Sequence, residues 1–203
     1  MTEQTVAAPT LPEPPLPEIT PPQAKYQVRF DWGVEGAAVI GANADVIVWV
    51  DALPEPSAGA PEFDGDGAVL AADLTSAQAA ARWILAEQVR LGRRAMVAVV
   101  AAGAPAAASH RFAVEDLLAA GAVVDALAAA GIDYSSPEAA AACAAFTGLR
   151  GAVAHLLTAS VAGQKRIAAG ASPADVAAAG RLGASDAVTV LRASRQTGAR
   201  LSE

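Results

Sequence analysis

Short apolar runs alternate with amphipathic or alanine-rich stretches along most of this chain, and Gly/Pro-rich breaks separate them. Short runs that are β-branched or that alternate apolar with polar fit strands. They predict strands at Tyr26–Phe30, Val46–Val50, Ala68–Ala72 and Ala95–Ala102. Gly33–Asn43 reads as a short helix, and Thr75 or Ser76 is placed to cap a helix that runs to about Leu91, with Gly92 as its stop. Helices then dominate, at about Ala113–Ala130, Pro137–Leu157, Val161–Ala169 and Pro173–Gly180. Pro137 and Pro173 each follow a serine, the order in which a cap and a first helical residue occur. Ala187–Leu191 reads as a closing strand. Strands alternating with helices predict an α/β fold. The expected form is a three-layer domain over residues 24–203, with a largely parallel central sheet and a helix-rich C-terminal half. Residues 1–23, rich in proline and glutamate, are expected to be a disordered or extended tail.

Composition narrows the function. Apolar residues make up 54% of the chain and charged residues 17%, which favours a folded globular protein. The net charge of -7 argues against nucleic acid as a partner, because that binding needs clustered Lys and Arg. An anionic substrate would need a cation or local basic groups to reverse the field. Cys143 is the only cysteine, so no intrachain disulfide forms, and a cytoplasmic location is expected. No apolar run is expected to reach the ~20 residues that span a bilayer, so no membrane partner is expected. The alanine-rich face of Ala139–Ala145 has two uses, core or a subunit interface in a homo-oligomer.

Chemistry concentrates at the ends of two expected strands. Ligands of open α/β sheets bind beyond the carboxyl ends of the strands. Asp51 follows Val46–Val50, and is either a site acid or a turn former. Glu115 and Asp116 open the helix after Ala95–Ala102, where acids are also stabilised simply by the helix dipole. Neighbours on a helix diverge by ~100°, so one of the pair can reach the site while the other braces the loop. Mg2+ takes oxygen ligands and usually only one or two carboxylates, so Asp51 with one of this pair would suffice. Arg111 either forks onto a phosphate or sulfonate or is a solvated loop charge, and His110 beside it is expected to be inert. Asp64–Gly67 starts like a calcium loop, but Thr75 stands where that loop needs Glu. No Walker A sequence and no dinucleotide fingerprint occurs. Cys143 and His155 are expected to be structural, and Lys165 with Arg166 a solvated helix face.

Taken in order, VAVVAAG, RFAVEDLLAAGAVVDAL, SPEAAAACAAF and ASVAGQKRIAAGASPADVAAAGRLGASDAVTVLRAS resemble segments of the 2-phosphosulfolactate phosphatase family. YQVRFDWGVEGA and VIVWVDAL match more weakly. The resemblance implies a Mg2+-dependent hydrolase acting on a small anionic phosphate ester, a step associated with coenzyme M synthesis. It implies Asp51, Glu115 and Asp116 as catalytic residues, with Asp51 and Asp116 on the metal. Arg111 and Ser57 are the implied substrate contacts. The chain also departs from the family. Its first acid is followed by Ala52-Leu53-Pro54-Glu55-Pro56-Ser57 instead of a Val-Leu-Arg-Ala-Thr-Ser-like segment. The Glu-Arg-Gly-Gly-like and Thr-Asn-Gly-Thr-like motifs are missing. The alternative is therefore a catalytically degenerate relative that serves in binding or assembly.

Overall fold

In the computed structural model, residues 22–55, 61–105 and 110–195 are described. Most of the expected tail, residues 1–21, lies outside them, as does Ser57. The elements are β1 (Val28–Trp32), α1 (Gly33–Gly41), β2 (Val46–Val50), β3 (Ala68–Ala72), α2 (Ala77–Leu91) and β4 (Val97–Ala101). A two-residue hairpin follows, β5 (Ala104–Pro105) with β6 (His110–Arg111), where the sequence predicts only a loop. Then come α3 (Val114–Ala129), α4 (Pro137–Leu149), a 3-10 turn at Arg150–Ala152, α5 (Val153–Ala159), α6 (Val161–Ala168), α7 (Pro173–Ala178) and β7 (Thr189–Arg192).

The main sheet has the order β1-β4-β2-β3-β7. Its first four strands are parallel, and β7 joins the edge antiparallel. This is the largely parallel α/β architecture that the alternation of strands and helices predicts. Val50 is in register with both Ala72 and Ala101, so β2, β3 and β4 end level with one another. The residues that follow them therefore meet at one edge. Helices α2, α3 and α4 cover one face, over Val48, Leu70 and Val99. On the other face α1 packs Ala37 and Ile40 on Ile47, Ala98 and Val100, with the Trp49–Phe63 ring pair beside them.

Close packing by small residues makes the thick face. α3 buries Leu118, Ala119, Ala120, Ala122 and Val123. A Cβ on Gly121 would lie 2.2 Å from the carbonyl oxygen of Ala142, so α3 and α4 approach backbone to backbone. Ala139 and Ala142 are core, which settles part of the alanine-rich face, whereas Ala140, Ala141 and Ala144 are exposed.

Several expectations need correction. β1 begins two residues later than expected because Tyr26 closes a turn onto Gln23, and Gln27 and Val28 donate to the carbonyl of Tyr134. The single helix expected over Pro137–Leu157 breaks at Arg150–Ala152, where Gly151 weakens helix propagation. Ser76 precedes α2 but makes no capping bond there, since its hydroxyl is engaged with Asp73. By contrast Ser136 and Ser172 do cap α4 and α7. The helical stretch Pro137–Ala159 is, by length and composition, long and apolar enough to cross a membrane. Its alanines count as apolar although each offers little surface to bury, and 22% of its most apolar window is buried.

Candidate active site

The level ends of β2, β3 and β4 put Asp51, Asp73 and the loop into α3 along one edge. Asp116, in the first turn of α3, is 4% exposed. Its Oδ1 accepts the N–H of Ala52 at 2.9 Å and its Oδ2 accepts the N–H of Gly103 at 2.9 Å. One carboxylate thus ties the loop after β2 to the loop after β4. Burial and the neighbouring charge of Asp51 push its carboxyl up to about 7, although the two N–H donors pull the other way.

Asp51 is half-buried and accepts the N–H of Leu53 at 3.1 Å. Burial raises its carboxyl above the usual range, against the opposing pull of the Leu53 amide and Arg166. Glu115 is 4% exposed and has no hydrogen bond or ion pair among the described residues, yet it borders the same cavity. Asp51, distant in sequence, is therefore brought together with Glu115 and Asp116.

The cavity has a volume of about 530 Å3. Asp51, Glu115 and Asp116 stand on its strand-edge wall, Asp73 and Thr75 on a second, and Val161, Ala162 and Lys165 of α6 on a third. Asp73 is engaged locally through one oxygen, its Oδ1 accepting from the Thr75 hydroxyl, the Ser76 hydroxyl and the Ser76 amide. Among the described residues no cluster of three or more His, Cys, Asp or Glu is arranged to hold a metal ion.

The expectation for Lys165 and Arg166 is corrected. Lys165 is exposed, but into this cavity. Arg166 is half-buried, donates through Nη2 to the carbonyl of Pro54, and acts electrostatically on Asp51. Its Nε is buried without a hydrogen-bond partner among the described residues. The signal was present in the spacing: Lys165 lies one helical turn after Val161 and Ala162 and so falls on their side of α6. Arg111 pairs through its backbone with Ala104, and its side chain lies outside the description, as do Ser57 and the side chain of His110. His155 is exposed, and burial pushes the half-buried Cys143 thiol up, away from the reactive thiolate.

The family profile described as 2-phosphosulpholactate phosphatase matches residues 62–194, more than half of the chain. The matched stretch contains Glu115, Asp116 and Lys165 and begins after Asp51. No curated protein matches the chain.

Proposed function

The chain belongs to the 2-phosphosulpholactate phosphatase family, and from that premise we propose that it hydrolyses a small phosphate monoester in the cavity at the strand edge, with Mg2+ as cofactor. The meeting of Asp51 and Asp116 at one cavity carries this reading. Burial and the charge of Asp51 both oppose ionisation of Asp116, which is 4% exposed, and a divalent cation would supply a counter-charge. The donor set fits Mg2+. All the groups are carboxylate oxygens, and two protein ligands are enough when water and substrate complete the shell. Each oxygen of Asp116 accepts only one N–H, which leaves it a lone pair. Asp51 and Asp116 are the proposed ligands, with Glu115 as the third acid of the site.

When bound, the ion would neutralise charge on the phosphoryl oxygens and lower the cost of bringing an anion to an acidic wall. The protein's own contribution is position. Asp116 fixes both loops through its paired amides, and Arg166 fixes the start of the next segment at Pro54. In the hydrolysis a water oxygen bonds to phosphorus and the ester P–O bond breaks with its electron pair on the leaving oxygen. The proton lost by water is balanced by the one the leaving oxygen takes from solvent. Arg111 and Ser57 are the proposed substrate contacts.

The test is phosphate release by the purified protein from 2-phosphosulfolactate and from generic monoesters, with and without Mg2+. Turnover that needs the metal and is lost in Asp116→Asn supports the proposal, and turnover no greater than background removes it. A second reading, a relative that binds without catalysis, is favoured by the position of Asp51 outside the matched stretch. It predicts a raised melting temperature with Mg2+ and phosphate, without hydrolysis.

A further inference from the structure

The acidic cavity poses a charge problem that its own walls nearly fail to solve. Asp51, Glu55, Asp73, Glu115 and Asp116 line it, and the chain as a whole is acidic. An incoming anion needs donors, and several of those along the rim are already engaged. The amides of Ala52 and Gly103 go to Asp116, and the amide of Leu53 goes to Asp51. The Thr75 and Ser76 hydroxyls go to Asp73, and the Ser185 hydroxyl goes to the Ala187 carbonyl. Arg166 gives its Nη2 to the carbonyl of Pro54, and its Nε is buried. Lys165 differs. It lines the cavity from α6, on the same face as Val161 and Ala162, and makes no ion pair or hydrogen bond among the described residues.

We propose that Lys165 is an anion-binding group of this cavity, its ammonium meeting phosphoryl oxygens opposite the carboxylate wall. A lysine suits that task as a mobile point charge with three donors. The two adjacent basic residues thus divide their work, with Arg166 holding the β2 loop and Lys165 facing the ligand. Lys165 forms no covalent bond in this role. The stabilisation grows as negative charge develops on the transferred group, so Lys165 acts on the chemical step as well as on binding. The inference rests on the phosphatase reading only for the chemical identity of the anion.

The test uses the full chain and inorganic phosphate as the probe, titrated calorimetrically in the presence of Mg2+. Wild type is expected to bind. Lys165→Ala, a change on an exposed helix position, is expected to weaken binding by about tenfold to a hundredfold. Lys165→Arg is expected to recover most of the loss, which a merely structural role would not predict. Failure of wild type to bind phosphate, or equal binding by Lys165→Ala, overturns the inference. Monoester hydrolysis by the same proteins separates the two proposals. Phosphate binding that depends on Lys165 without any turnover keeps this inference and sinks the phosphatase reading. Turnover with unchanged kcat and KM in Lys165→Ala does the reverse.

Discussion

Ionising Asp116 should cost the metal-free protein stability. Its carboxyl sits at about 7 in the folded chain against an ordinary 3.8. Because the folded-state value is raised, the folded form holds a proton that the unfolded form has released across this interval. The stabilisation is complete below about pH 4 and is lost progressively as pH rises to about 7. Each unit is worth ~1.4 kcal/mol, so the whole gap has a ceiling of about 4 kcal/mol, and the stretch from pH 5 to pH 7 accounts for roughly 2–3 kcal/mol of it. The assay is urea unfolding in EDTA at pH 5, 6, 7 and 8, on wild type and Asp116→Asn. The variant cannot ionise at this position, so its constant offset drops out of the comparison. That offset arises because the new amide NH2 must face one of the two backbone N–H groups. Removing the charge also relieves Asp51, which flattens the variant further. Wild type should therefore lose about 2–3 kcal/mol more than the variant between pH 5 and pH 8, and Mg2+ should restore much of it at pH 8. Parallel pH curves would refute the reasoning that buries an uncompensated carboxylate here.

Other perturbations test the scaffold. Gly121→Ala places a Cβ 2.2 Å from the Ala142 carbonyl oxygen and should destabilise by about 1–3 kcal/mol or more, read as a lower urea midpoint. Phe146→Ala empties a fully buried position between α3 and α4 and should cost about 3–5 kcal/mol in the same measurement. Asp45→Ala removes the carboxylate to which Arg93 donates at 2.7 Å to each oxygen, and leaves the Met96 amide without its acceptor. A loss of about 2–4 kcal/mol is expected, with the Met96 amide exchanging faster with deuterium.

The strands were the most legible part of the sequence. Val46–Val50 and Ala68–Ala72 are dense apolar runs bounded by turn residues, so their ends match residue for residue. The start of β1 was not legible, because it depends on Tyr134, more than a hundred residues further on. The break at Arg150–Ala152 was hidden because no proline marks it and alanine-rich helical sequence resumes directly after it. At the site, Asp51, Glu115 and Asp116 could be named from their places after strands, since parallel strands of one sheet end at a common edge. The bridging role of Asp116 could not, because it needs the exact register of β2 against β4. Lys165 is exposed, as a basic pair on a short helix predicts, and only the placement of α6 beside the sheet edge shows that it borders the cavity.

Phosphate release from 2-phosphosulfolactate while Mg2+ is titrated, in wild type, Asp51→Asn and Asp116→Asn side by side, tests most directly whether the three acids at the strand edge form one working centre. A saturable rise with metal in wild type, and a loss of about 10²-fold or more in each variant, is the expected result. Rates that ignore the metal, or that survive both substitutions, would place the chemistry somewhere other than this edge of the sheet.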